Sequence, residues 1–156
     1  MHINVSHILA GDVGASTDFT IEGEYPNIPD LELSQPVSGQ FSLTKLDEGL
    51  ALKGSADLVF KLECYRCLDT YEHQAQVNLT GLFNLNPGED EWPITRRGEI
   101  DLTPLLRQEA LVSIPIQQLC STDCAGLCTE CGQRQTKDHK HEIQELGNRP
   151  RIKKGP

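Results

Sequence analysis

LVFKLECYRCLDTYEHQAQVNL, Leu58 to Leu79, is the stretch that decides the fold. Leu58, Phe60 and Leu62 recur at every second position up to Cys64, and the same period restarts at Tyr71 and runs through His73, Ala75 and Val77. Successive side chains of a strand point to opposite faces, so this spacing predicts two strands with Cys64 to Asp69 as the bend between them. That bend carries Cys64-Tyr65-Arg66-Cys67. Two thiolates separated by two residues can reach one ion from a tight turn, which makes the bend a natural metal knuckle.

Upstream, Phe41 and Leu43 alternate with Ser42 and Thr44 before Asp47-Glu48-Gly49, and the pattern resumes from Leu50 to Leu62. This predicts a hairpin with a three-residue connection. His2 to Leu9 alternates at Ile3 and Val5 and reads as an opening strand. Ala10 to Gln40 is rich in glycine, proline and acids, with brief apolar groups at Phe19, Ile21, Leu31 and Leu33, so it is expected to be loop with one or two short strands.

Downstream, a third strand can continue to Leu85, before the acidic, turn-rich NPGEDEWP. Strand habit ends at Ile100. Thr103 is placed to cap a helix and Pro104 to open it, because proline lacks only an amide hydrogen that would have no helical partner there. Leu102, Leu105, Leu106, Glu109, Ala110 and Val112 recur at three- and four-residue spacing, which predicts a helix from about Thr103 to Val112 with an apolar stripe against the sheet. Pro115 ends it.

A second CxxC unit, Cys128-Thr129-Glu130-Cys131, is followed by Gly132, which lets the backbone fold back and aim amides at the sulfurs. Cys120 and Cys124 precede it, so three ligand sets are open. Cys64 and Cys67 can share an ion with Cys128 and Cys131, as in a zinc ribbon; they can instead share it with Cys120 and Cys124; or Cys120, Cys124, Cys128 and Cys131 can bind locally. The first set is the leading expectation and the second its alternative, because closing two distant turns on one ion is where structural zinc contributes stability. His139 and His141 extend the second unit to CxxCx7HxH, but histidines in a polar segment are expected to be solvated. Arg66, between two ligands, suits a role beside the site, offsetting thiolate charge, or an outward contact to phosphate.

Other chemistries find little support. The tight CxxCxxC run of ferredoxins is absent, and a thioredoxin-like centre wants its pair at a helix N-terminus after a strand. No GxSxG, HExxH, P-loop or dinucleotide-binding glycine pattern occurs. Four thiolates leave no open position for catalysis, so no enzyme and no small-molecule substrate are expected. His2, His7 and His73 are isolated within strand patterns, and Glu89 to Glu91 read as a solvated turn. Nothing approaches the roughly 20 apolar residues of a membrane span, and MHINVSHILAG has neither a basic leader nor a long apolar segment. A cytoplasmic, reducing address follows as the expectation, and it favours metal-bound thiolates over disulfides.

Charge divides the chain. Up to Gly132 there are 7 Lys and Arg against 20 Asp and Glu, whereas Gln133 to Pro156 carries 7 against 3. The domain is therefore expected to be one acidic unit, residues 1–132, trailing a basic flexible tail, 133–156. Such a body repels a phosphate backbone and attracts a basic protein. Candidate contacts to RNA or a partner are Arg66, Arg96 and Arg97 near Trp92, and Arg149, Arg151, Lys153 and Lys154 in the tail.

With these residues quoted, a resemblance follows. ECYRCL at Glu63 to Leu68, EIDLTPLLRQEALVSIP at Glu99 to Pro115 and CSTDCAGLCTECG at Cys120 to Gly132 together resemble the YceD-like family of large-ribosomal-RNA accumulation proteins, in order and in spacing. Cys64, Arg66 and Cys67 match its CxRC; Ile100, Asp101, Leu102, Glu109 and Pro115 match its helix block; Gly126, Leu127, Cys128, Cys131 and Gly132 match its GLCPxCG, with Thr129 where proline is usual. GQRQTKDHKHE departs from the acidic-polar segment common in the family after Gly132. The resemblance implies a bacterial or plastid factor supporting large-subunit ribosomal RNA, with ribosomal RNA or a basic ribosomal or assembly protein as partner. Rival readings are a protein-binding adaptor without RNA contact and a thiol redox protein. The expected fold is mostly β (α+β), a small antiparallel sheet or barrel-like domain with one packed helix and a C-terminal zinc-knuckle segment holding Zn2+.

Overall fold

Alternation of apolar residues builds the sheet around one long hairpin. In the computed structural model, which describes residues 1–135 and 139, the elements are β1 (His2–Asn4), α1 (Ser6–Leu9), β2 (Ser16–Glu24), β3 (Val37–Leu46), β4 (Gly49–Glu63), β5 (Thr70–Asn84), β6 (Glu91–Pro93), β7 (Glu99–Asp101) and α2 (Thr103–Ser113). The main sheet has the order β2-β3-β4-β5-β6, antiparallel until β6 joins β5 in parallel, and β1 pairs with β7 in a separate two-stranded sheet. The class is α+β and mostly β.

Register follows the buried face. Leu50, Leu52, Leu58, Phe60 and Leu62 of β4 and Val77, Leu79 and Phe83 of β5 are buried together with Phe41 and Leu43 of β3. A slip of one residue would turn these side chains to solvent, so the core pins the pairing. Glu63 opposite Thr70 is the last pair of β4 and β5, which leaves 64–69 as the bend that the sequence predicts. Gly54 pairs with Phe41 so closely that any side-chain carbon there would overlap the backbone of Gln40 and Phe41. Glycine is what lets the strands approach.

Four local expectations are corrected. The opening strand stops at Asn4; Val5 and Ile8 are buried by a short helical turn, and apolar residues three apart suit a helix as well as Ile3 and Val5 suit a strand. Within the stretch expected to be loop with short strands, β2 runs for nine residues and β3 already begins at Val37. The connection of β3 to β4 has two residues, Asp47 and Glu48, because Gly49 at φ 109° already pairs with Leu46. Thr103 makes no side-chain cap; the Asp101 carboxylate accepts the Thr103 amide hydrogen instead.

Helix α2 lies on β5 through Leu105, Leu106 and Ala110, with Leu102 buried at its entrance. Val112, placed on the stripe by its spacing, is 77% exposed. Beyond the helix, the chain runs back to the bend between β4 and β5, where the Tyr65 amide donates to the Gln118 carbonyl at 2.9 Å. That return delivers the later cysteines to the first pair. No helix among the described residues is long and apolar enough to cross a membrane.

Candidate metal centre

The bend 64–69 is tied by two backbone bonds. The Cys64 amide donates to the Asp69 carbonyl at 2.9 Å and the Leu68 amide to the Cys64 carbonyl at 2.9 Å, with Leu68 in the left-handed region at φ 61°. This loop turns the amides of Arg66 and Cys67 toward the Cys64 sulfur, and the Cys120 amide joins them. Amide hydrogens around a sulfur stabilise its thiolate.

Four sulfurs meet here. Those of Cys64, Cys67, Cys120 and Cys124 all lie within 4.8 Å of one another, with Cys64 to Cys124 at 3.8 Å and Cys67 to Cys120 at 3.6 Å. A tetrahedral ion with metal–sulfur bonds of about 2.3 Å has sulfur–sulfur edges of roughly 3.8 Å, whereas a disulfide needs about 2.05 Å. The spacing therefore fits a four-thiolate metal site. Cys64, Cys67 and Cys124 are buried, and Tyr71 and Leu119 pack around them as an apolar shell.

Electrostatics points the same way. Burial by itself raises the Cys64 thiol, but the amides of Cys67, Cys120 and Arg66 outweigh it and bring Cys64 down to about 6. At Cys67 the Asp69 amide lowers the pKa, yet burial and the sulfurs of Cys64, Cys120 and Cys124 push it up to about 12. The neighbouring Cys124 sulfur likewise raises Cys120. Without a cation, the Cys64 thiolate forms readily while Cys67 and Cys120 resist; a divalent cation would favour the thiolates.

Around this core the second CxxC unit docks on the first. The Leu127 amide donates to the Arg66 carbonyl and the Arg66 guanidinium to the Cys124 carbonyl, both at 2.9 Å. Gly126, at φ 81°, brings its backbone so near that an added side-chain carbon would sit 3.0 Å from the Arg66 carbonyl oxygen. Arg134 pairs with Asp69 at 2.5 Å, and that carboxylate, with the sulfurs of Cys67, Cys120 and Cys124, holds its guanidinium charged.

The leading ligand set of the sequence reading is thus not the one brought together. Cys64 and Cys67 meet Cys120 and Cys124, the alternative pair, while Cys128 and Cys131 lie with His139, all three ligand atoms within 4.8 Å. The cause is chain order: the irregular return from α2 presents Cys120 first, and the Leu127 contact with Arg66 then carries Cys128 past the site. His139, expected to be solvated, has its Nε2 3.5 Å from the Cys131 sulfur. His141 lies outside the described residues.

Arg66 takes the position beside the site that its place between two ligands suggests. Arg96 and Arg97 sit in the exposed turn between Ile94 and β7, and Ile94 is bonded to Asn84 at the far end of β5. A strand of 15 residues spans on the order of 45 Å if straight, so Arg66 and the Arg96–Arg97 pair do not form one patch. Arg149, Arg151, Lys153 and Lys154 lie outside the described residues. The Asp69–Arg134 pair was missed by sequence reasoning, since nothing in the spacing of two exposed charges marks them as partners.

Comparison with known proteins places the chain among similar sequences. An uncharacterized protein of Mycobacterium leprae (strain TN) is 28% identical over 109 residues, which cover 65% of this chain and 50% of that protein. Uncharacterized proteins of Mycobacterium bovis and Mycobacterium tuberculosis (strain H37Rv) are each 30% identical over 106 residues, 62% of this chain and 51% of theirs. The chain spans about half the length of the curated relatives it matches. No solved structure matches. The family model described as "Large ribosomal RNA subunit accumulation protein YceD" matches residues 52–152, which takes in both CxxC units, helix α2 and most of the β4–β5 hairpin. The chain belongs to the YceD family.

Proposed function

We propose that this protein is a non-enzymatic zinc-binding factor that supports accumulation of large-subunit ribosomal RNA during ribosome assembly. The family match over residues 52–152 carries the biological reading. The four-sulfur cluster supports the metal: Cys64, Cys67, Cys120 and Cys124 lie close enough to supply all four ligands of a tetrahedral ion, which would leave no position for a substrate. Zinc is the ion that a closed, buried set of four thiolates suits best. Its work is to fasten the chain after α2 to the tip of the β4–β5 hairpin.

The acidic balance up to Gly132 supports action through a basic ribosomal or assembly protein in preference to bare RNA. Residues 1–132 then form the zinc-binding domain, with the basic residues that follow as an adjoining segment. The test is a strain lacking the gene, in which the ratio of large- to small-subunit ribosomal RNA is measured. The ratio is expected to fall, to recover with the wild-type protein, and to stay low with Cys64→Ser. An unchanged ratio on deletion would sink the ribosomal reading; recovery by Cys64→Ser would sink the role of the metal.

A further inference from the structure

The two CxxC units are the same loop built twice. In the first, the Cys64 amide bonds the Asp69 carbonyl, the Leu68 amide bonds the Cys64 carbonyl, and Leu68 has φ 61°. In the second, the Cys128 amide bonds the Gln133 carbonyl at 2.7 Å, the Gly132 amide bonds the Cys128 carbonyl at 2.8 Å, and Gly132 has φ 71°. Each offset is identical. In the second loop the Glu130 amide also points at the Cys128 sulfur, at 3.4 Å. Such a loop presents two sulfurs to one ion.

The first loop's ion is complete with Cys120 and Cys124, so the second loop needs its own. His139 supplies a nitrogen there. A tetrahedral ion with bonds of about 2.3 Å to sulfur and about 2.05 Å to imidazole has a sulfur–nitrogen edge of roughly 3.6 Å, and Cys131 Sγ to His139 Nε2 is 3.5 Å. We infer that Cys128, Cys131 and His139 form a second site for a thiophilic divalent cation, zinc being the natural occupant, distinct from the four-sulfur site and more open than it. Cys128 is buried but Cys131 is exposed, and the three ligands among the described residues leave one vertex for a further donor. Exposure and the lower thiolate count make this the ion that a chelator removes first. When bound, it would fix the loop that carries Arg134 to Asp69 and Leu127 to Arg66, so the second ion braces the first knuckle from outside.

The experiment uses the full chain, reduced and untagged. Metal per chain is read by elemental mass spectrometry after zinc loading, and ligand type by cobalt(II) absorption. Two zinc ions per chain are expected, with cobalt giving one four-sulfur spectrum and one mixed sulfur–nitrogen spectrum. Cys128→Ser and Cys131→Ser should each retain one ion with the four-sulfur spectrum. His139→Ala should weaken the second ion by at least the 10- to 100-fold typical of outer-shell losses. Because His139 lies near the protein surface, this variant is expected to keep the wild-type melting curve of the sheet, which circular dichroism checks. One ion that depends on Cys64 and Cys120 but not on Cys128 overturns this inference and leaves the proposed zinc site standing. One ion that depends on both CxxC units overturns both.

Discussion

The sulfur of Cys64 lies 3.8 Å from that of Cys124, sixty residues further along the chain. An ion that binds only the folded chain adds its binding free energy to stability, about 4 kcal/mol when the free ion stands at roughly 1,000 times its dissociation constant. Cys64→Ser is therefore expected to lose the buried ion and to lower the melting temperature by on the order of 10 °C. Equal midpoints for wild type and variant, with metal content unchanged, would contradict this.

Zinc uptake should release protons. In the metal-free site the Cys64 thiol is already near 6, while Cys67 stands at about 12 and Cys120 is also raised. At pH 7 at least two protons, those of Cys67 and Cys120, must leave when the ion enters, and a pH indicator in weak buffer reads them. The sign follows for acid: protons compete with the ion, so affinity falls as pH falls. In the metal-free fold the lowered Cys64 contributes stability above the ordinary thiol pKa of about 8.5, and this is lost as pH drops through about 6.

Arg66→Ala removes the donor to the Cys124 carbonyl. Since the side chain is partly in solvent, the expected loss is about 1 kcal/mol, smaller than for a fully buried charged bond. It should appear as faster release of metal to a chelator, with the melting of the sheet little changed. Arg66→Lys restores the charge without the fork of donors and should recover only part of the rate.

Gly54→Ala tests the sheet independently of the metal. The added methyl meets the backbone of Gln40 and Phe41, which cannot swing aside like a side chain. A destabilisation of about 1–3 kcal/mol is expected in urea unfolding, with zinc content per folded chain unaltered.

The period of two between Phe41 and Leu79 is enough to read β3, β4 and β5, because the buried and open faces of those strands differ sharply. Val5 and Ile8 were misread since one turn of helix and a short strand bury apolar residues at similar intervals. The four sulfurs of the first site are legible as cysteines. Their partition was not, because it depends on the path from Pro115 to Leu119, whose backbone bond between Tyr65 and Gln118 has no signature in residue type. His139 was hidden by its polar surroundings, which look the same whether a histidine is solvated or faces a thiolate.

The sixty-residue separation of Cys64 and Cys124 also orders events during synthesis. At roughly 5–20 residues per second, about 3–12 s pass between the addition of the first ligand and that of the last. Through that interval the hairpin tip holds half a coordination sphere and none of the segment that completes it. Metal capture by all four sulfurs is thus a signal that translation has passed the helix, and a nascent chain stalled before Cys120 carries an open thiol pair that a finished one conceals.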